Sequence, residues 1–231
     1  MKNKGTFIMA SVGGFLTALL IVLIRFVDVA PIGPQGTAIG LSHLNRFIFD
    51  LFGVRMIWYT ITDWLGVAAV LTACLFAALG FVQLVKRKSL FKVDKEILLL
   101  GALYIVLIGL YVLFERVIVN YRPIILPGGT HPEASFPSSH TLMVCAVMGS
   151  ACMLMKKYIK NKTLRTALQA FCAVVIGVTV IGRLISGVHW FTDIVGGILI
   201  SSTLLTVYAG VKTDVVFPRR CLAGGRNVEL R

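Results

Sequence analysis

Six unbroken apolar runs divide the chain, over residues 6–27, 65–85, 97–114, 141–155, 167–181 and 194–211. About twenty apolar residues cross the hydrocarbon core of a bilayer as a helix, whereas a transmembrane β-barrel alternates apolar and polar positions in shorter segments. The pattern predicts an all-α, polytopic membrane protein with six transmembrane helices. The fourth and fifth runs hold 15 residues each, only about 22 Å at 1.5 Å per residue. Such short spans, bounded by polar residues on one side, imply a protected cavity among the outer ends of spans three to six.

The first run exceeds the apolar core of about 7 to 15 residues found in a signal peptide, and reads as a retained span. Residues 31–64 are too polar to cross. Within them Leu41, Leu44, Ile48, Leu51 and Phe52 recur at helical spacing while Asn45, Arg46 and Asp50 take the other face. That predicts an amphipathic helix lying in the interface between the first two spans, as a packing lid or a surface through which lipid enters.

Composition agrees with the pattern: of 231 residues 57% are hydrophobic and 14% charged, against about a quarter charged in soluble domains. The net charge of +13 does not mark nucleic acid as a partner, because the basic residues sit in short loops without interleaved aromatics. Of the 23 lysines and arginines, 17 fall in the N-terminus, the loops after the second and fourth runs, and the tail. The other six, Arg25, Arg46, Arg55, Arg116, Arg122 and Arg183, fall on the opposite side, with no lysine among them. By the positive-inside rule both termini are cytoplasmic. The expected organisation is one six-span membrane domain over 1–213 and a short basic cytoplasmic tail over 214–231. Cys74, Cys145, Cys152 and Cys172 lie in apolar runs and Cys221 in the tail, without a CxxC pair, which reads as packing. Trp58, Trp64 and Trp190 read as an aromatic belt at the outer interface.

Three short stretches near that outer face hold most of the remaining polar chemistry: Asn120-Tyr121-Arg122-Pro123, Phe136-Pro137-Ser138-Ser139-His140, and Arg183 with His189 and Asp193. Two arginines offer planar donor forks that match phosphate oxygens. The Ser138-Ser139 pair opens a helix, where free backbone N–H groups favour an anion. His189 and Asp193 are four apart and meet on one face of a helix entrance. A carboxylate on one ring nitrogen fixes the tautomer and leaves the other nitrogen free to attack, while His140 can protonate a leaving alkoxide. Taken singly, these residues have ordinary explanations as snorkelling arginines, helix caps and a structural pair. Jointly they describe a phosphate site.

The order Arg-Pro, then Pro-Ser-x-His, then Arg-x5-His-x3-Asp resembles the type 2 phosphatidic acid phosphatase and haloperoxidase superfamily. It is carried here by Arg122-Pro123, Pro137-Ser138-Ser139-His140, and Arg183, His189 and Asp193, with a motif region over 115–193. The resemblance implies a lipid phosphatase of the cell membrane with an extracytoplasmic site and no cofactor or metal. It further implies that His189 becomes a phosphohistidine, that Asp193 orients it, and that His140 acts as acid and then as base for water. Arg122, Arg183 and Ser138 would hold the phosphate.

Two positions depart from that pattern. Ser139 replaces a glycine and adds a donor. Glu115 replaces a lysine seven residues before Arg122, where a carboxylate opposes a phosphate dianion at close range. The spacing favours Glu115 as an anchor for Arg122 or Arg116 over direct contact with phosphate, with Arg116 supplying the missing positive charge.

The function expected is metal-independent hydrolysis of a lipid phosphate or diphosphate, such as undecaprenyl diphosphate, phosphatidylglycerophosphate or phosphatidate. A lipid phosphotransferase would use the same His189, and a non-catalytic phospholipid-binding or transport protein would need no nucleophile. The outer face offers Glu115, Glu133, Asp193 and scattered aspartates rather than the clustered carboxylates of a magnesium site.

Overall fold

The computed structural model describes residues 2–216, which form seven α-helices and no sheet. These are α1 (Lys2–Phe26), α2 (Ser42–Phe52), α3 (Met56–Arg87), α4 (Lys95–Arg116), α5 (Ser139–Tyr158), α6 (Lys162–Ile185) and α7 (Phe191–Val216). All but α2 are long and apolar enough to cross a membrane. The chain is a multi-pass membrane protein. Beyond α7 the tail, including Cys221, lies outside the described residues; α7 itself continues three residues past the expected boundary at 213.

The fourth and fifth spans are not short. Helix α5 has 20 residues and α6 has 24, about 30 and 36 Å at 1.5 Å per residue. Their ends are polar, with Ser139 and His140 opening α5 and Lys156 and Lys157 closing it, so counting apolar residues alone truncated them. The cavity near the motif-bearing ends therefore arises from loops and helix packing, not from thinned spans.

Helix α5 is the axis of the bundle. It is the least apolar of the six spans and the most buried, because the other helices, not lipid, surround it. Leu142, Val144, Ala146, Val147, Met148 and Ala151 of α5 pack with Ala69, Leu107, Cys172, Val175 and Ile200 from α3, α4, α6 and α7. Small residues interspersed along the axis, Cys145, Ala146, Ser150 and Ala151, let helices approach where no hydrophobic effect drives association within lipid.

Helix α2 sits differently from its sequence pattern. Leu44, Phe47 and Leu51 are exposed, while Asn45 is wholly buried. The Asn45 amide donates to Gly40 O at 2.9 Å and to Thr192 Oγ1 at 3.1 Å, and its carbonyl accepts from Thr192 N. The polar residue faces the protein because the first turn of α7 has a backbone N–H to satisfy. Trp190 is also buried, with its ring 5.5 Å from that of Phe49 and Nε1 donating to Tyr121 O at 2.7 Å. It is a core residue rather than part of a belt.

At the end of the bundle opposite the motif residues, Asp94 joins three helices. Its carboxylate accepts from Arg87 and Tyr158 at 2.9 Å each and lies 3.2 Å from Lys157 Nζ. Burial raises the proton affinity of Asp94, but the hydrogen bonds from Arg87, Tyr158 and Lys157 outweigh it and bring the carboxyl down to about 2. A carboxyl depressed in the folded state stabilises above its unfolded value, near 4, and that contribution fades as pH falls toward about 2. Asp94→Ala is expected to lower the apparent Tm in detergent at pH 7 by roughly 4 to 8 °C, the equivalent of about 2 kcal/mol. The difference from the parent protein closes as pH approaches 2; a difference that is constant with pH contradicts this account.

Candidate active site

The loop between α4 and α5 folds back on itself. Arg122 N donates to Glu133 O and Ser135 N to Asn120 O, both at 3.0 Å, around an antiparallel bridge between Tyr121 and Ala134. This short ladder fixes Arg122 beside the turn that links α6 to α7. Ser138 N donates to Asp193 O at 3.0 Å and ties the start of α5 to the first turn of α7.

Asp193 stands three residues after Trp190, the residue preceding α7, and its Oδ2 accepts from Trp190 N at 2.9 Å. That is the returning half of a capping box, with a carboxylate favoured at the helix N-terminus by the dipole. The same Oδ2 lies 3.7 Å from His189 Nδ1. Asn120 and Ser135, both buried, sit beside the carboxylate. On the other side of the ring, His189 Nε2 is 3.4 Å from an Arg122 guanidinium nitrogen. The imidazole therefore has a carboxylate near one nitrogen and a guanidinium at the other. Burial, followed by the charges of Arg122 and Arg183, holds His189 well below its ordinary histidine value, against an opposing hydrogen bond to the Ser135 backbone. A neutral ring keeps the lone pair needed for attack on phosphorus.

Arg122 and His189 line a small cavity together with Tyr111, Glu115, Ser135 and Ser139. Ser139 faces this space. Ser138 does not, being fully buried and accepting a hydrogen bond from Thr141 Oγ1 at 3.1 Å. Glu115 stands in the cavity wall, and among the described residues it forms no ion pair with Arg122 or Arg116. Glu133 takes that place, 3.1 Å from Arg122 Nε. Arg116 is exposed at the end of α4 and does not line the cavity. The anchoring role expected of Glu115 is thus filled from the loop. Two turns of helix do not carry Glu115 to Arg122, because α4 ends at Arg116 and the chain then turns away.

Arg183 and His140 form a second group. Arg183, 1% exposed, pairs with Asp63 of α3 and stacks over the Tyr59 ring at 4.7 Å. The same Asp63 oxygen lies 3.1 Å from His140 Nε2. Asp63 and Tyr59 were missed in the sequence because α3 begins at Met56, nine residues before the apolar run. A carboxylate two residues ahead of that run, on the side without lysine, was the available signal.

Residues 118–215, which contain all three motif stretches, match the PAP2 superfamily. The match spans less than half of the chain and includes the ends of α6 and α7 that frame His189. Among solved structures, the fold is similar to the crystal structure of a transmembrane PAP2-type phosphatidylglycerolphosphate phosphatase from Bacillus subtilis. The TM-score is 0.60 at 19% identity, with 91% of this chain and 98% of that one covered. At that identity the likeness is one of fold. No curated protein matches the chain.

Glu115 lines the same cavity as Arg122 and His189. Glu115→Lys is expected to tighten binding of inorganic phosphate or vanadate roughly three- to tenfold at low salt, by exchanging repulsion for attraction across a partly solvated gap. Isothermal titration of the purified protein measures it. Unchanged or weaker anion binding would place Glu115 outside the anion's reach.

Proposed function

We propose that this protein removes phosphate from a membrane lipid through a covalent phosphate on His189, without a metal ion. The observation that carries the reading is the buried imidazole of His189, with an Asp193 carboxylate oxygen 3.7 Å from Nδ1 and an Arg122 guanidinium nitrogen 3.4 Å from Nε2. His189 Nε2 attacks phosphorus while the bond to the lipid oxygen breaks. Asp193 holds the ring in the tautomer that leaves Nε2 unprotonated and stabilises positive charge on it. Arg122, Arg183 and the Ser139 hydroxyl at the opening of α5 meet the charge that builds on the phosphoryl oxygens. His140 protonates the departing lipid oxygen and then deprotonates the water that cleaves the P–N bond.

A lipid as substrate is supported by an apolar groove of about 310 Å³ lined by Leu107, Ile108, Tyr111, Leu142 and Met143, which reaches Ser139 and His140. A headgroup at the cavity and a chain along α4 and α5 would use both. Independence from metal is supported by the site's own cations. Among the described residues no group of three His, Cys, Asp or Glu side chains is placed to hold an ion. The distribution of lysine and arginine, 17 against 6, supports cytoplasmic termini and a site on the extracytoplasmic face.

Purified protein in detergent, given phosphatidate, phosphatidylglycerophosphate and undecaprenyl diphosphate with and without EDTA, tests the proposal. Phosphate release from at least one lipid, unaffected by EDTA, is expected. His189→Ala should lose about four orders of magnitude in turnover, as when one member of a concerted set is removed, while keeping its apparent Tm within a few degrees. Activity above a tenth of the parent level in His189→Ala contradicts the covalent route.

A further inference from the structure

The loop and turn residues that surround His189 leave Asp63 unused, although its carboxylate is the closest anion to two motif side chains. One oxygen, Oδ1, serves both His140 Nε2 at 3.1 Å and the buried Arg183 guanidinium. The backbone is shaped to bring them together. A Cβ on Gly66, less than one helical turn after Asp63, would lie 2.8 Å from His140 Cδ2, so α3 approaches α5 as closely as a missing side chain allows. A Cβ on Gly182 would lie 2.6 Å from Thr62 Cγ2 and 3.1 Å from the Trp58 ring, so α6 approaches α3 in the same manner just before Arg183. Close approaches at Gly66 of α3 and Gly182 of α6 thus bring Asp63 within reach of both partners.

A carboxylate against a histidine nitrogen does two things: it fixes which nitrogen carries the remaining proton, and it favours the imidazolium. Both are what a general acid requires. We infer that Asp63 is a positioning residue for His140, forming a second aspartate–histidine pair beside that of Asp193 and His189. This rests on the reading of His189 as nucleophile and His140 as acid.

The proton accounting is complete with groups already named. His140 begins as the imidazolium, with Nε2–H on Asp63 and Nδ1–H toward the lipid oxygen. When His189 Nε2 bonds to phosphorus, the electron pair of the P–O bond goes to the lipid oxygen, which takes the Nδ1 proton. His140 is then neutral with its remaining proton still on Nε2. It accepts a proton from water at Nδ1 as water attacks, and the P–N electron pair returns to His189. Arg183, paired with the same Asp63 oxygen, holds that carboxylate in place throughout.

The leaving group separates this role from a structural one. An alkyl lipid oxygen needs a proton to depart, whereas p-nitrophenolate does not. The quantity to measure is the rate of the first, phosphorylating step, on a lipid phosphate and on p-nitrophenyl phosphate, at saturation in single-turnover experiments. In Asp63→Asn, which keeps a hydrogen-bond acceptor for Arg183, the ratio of the lipid to the aryl rate is expected to fall about 30-fold or more, within the range of general acid effects. His140→Ala should show the same selective loss. Asp63→Glu, which keeps the charge but displaces it, should fall between Asp63→Asn and the parent, and this arm decides the matter if Asp63→Asn does not fold. An unchanged ratio in folded Asp63→Asn, or in Asp63→Glu where Asp63→Asn does not fold, beside a selective loss in His140→Ala, overturns the inference alone. An unchanged ratio in His140→Ala, or activity retained by His189→Ala, overturns the reading beneath it.

Discussion

A guanidinium at 1% exposure inside a bundle of apolar helices must be compensated, since an isolated charge there costs several kcal/mol even after relaxation. Arg183 is compensated from one direction by Asp63 and from another by the face of Tyr59. Much of the upper half of the bundle follows from that pair. Helix α3 has to begin early enough to present Tyr59 and Asp63, and α6 has to run on to Ile185 to bring Arg183 to them. Helix α5 is then caught between, with His140 against the same carboxylate. The ion pair and the placement of the second motif histidine are one structural event.

The opposite end of the bundle solves a similar problem with more solvent. Asp94, Glu96, Lys157 and Arg87 are each paired, and Tyr158 and Gln83 fill the remaining hydrogen bonds. These contacts join the ends of α3, α4 and α5 where lysine and arginine are dense. Held at both ends, α5 can carry polar and small residues along its length without exposing them to lipid. Its low hydropathy is tolerated for that reason, and the motif serines and histidine can open a transmembrane helix.

The helix count, the existence of a short helix between the first two spans, the membrane character and the three motif stretches were all legible in the sequence. Each depends on residue type and on spacing within a short window. What was not legible depends on where helices end and which way they face. The spans of α5 and α6 looked short because their ends hold Ser139, His140, Lys156 and Lys157 in α5 and Lys162, Arg165 and Arg183 in α6, which an apolar count discards. Asp63 was hidden for the same reason, in a helical turn that begins before its apolar run. Asn45 was assigned outward by polarity, but a buried backbone N–H at Thr192 drew it inward. Glu115 was expected to hold Arg122 because seven residues are two helical turns, yet the helix stops at Arg116 and Glu133 on the returning loop takes the contact.

The surroundings of His189 then acquire a physical logic. Burial and two nearby cations push the ring toward its neutral form, a carboxylate fixed as a helix cap lies beside Nδ1, and the residue lines a cavity together with Arg122, which approaches Nε2. That arrangement suits a nucleophile more than a structural histidine. The most direct test is to mix the protein with a phosphorus-labelled lipid phosphate, quench within milliseconds in alkali, and map the modified peptide by mass spectrometry. The account predicts an alkali-stable, acid-labile phosphate on His189 that forms and decays at rates compatible with turnover and is absent from His189→Ala. Turnover without such a label, or with the phosphate on another residue, would contradict it.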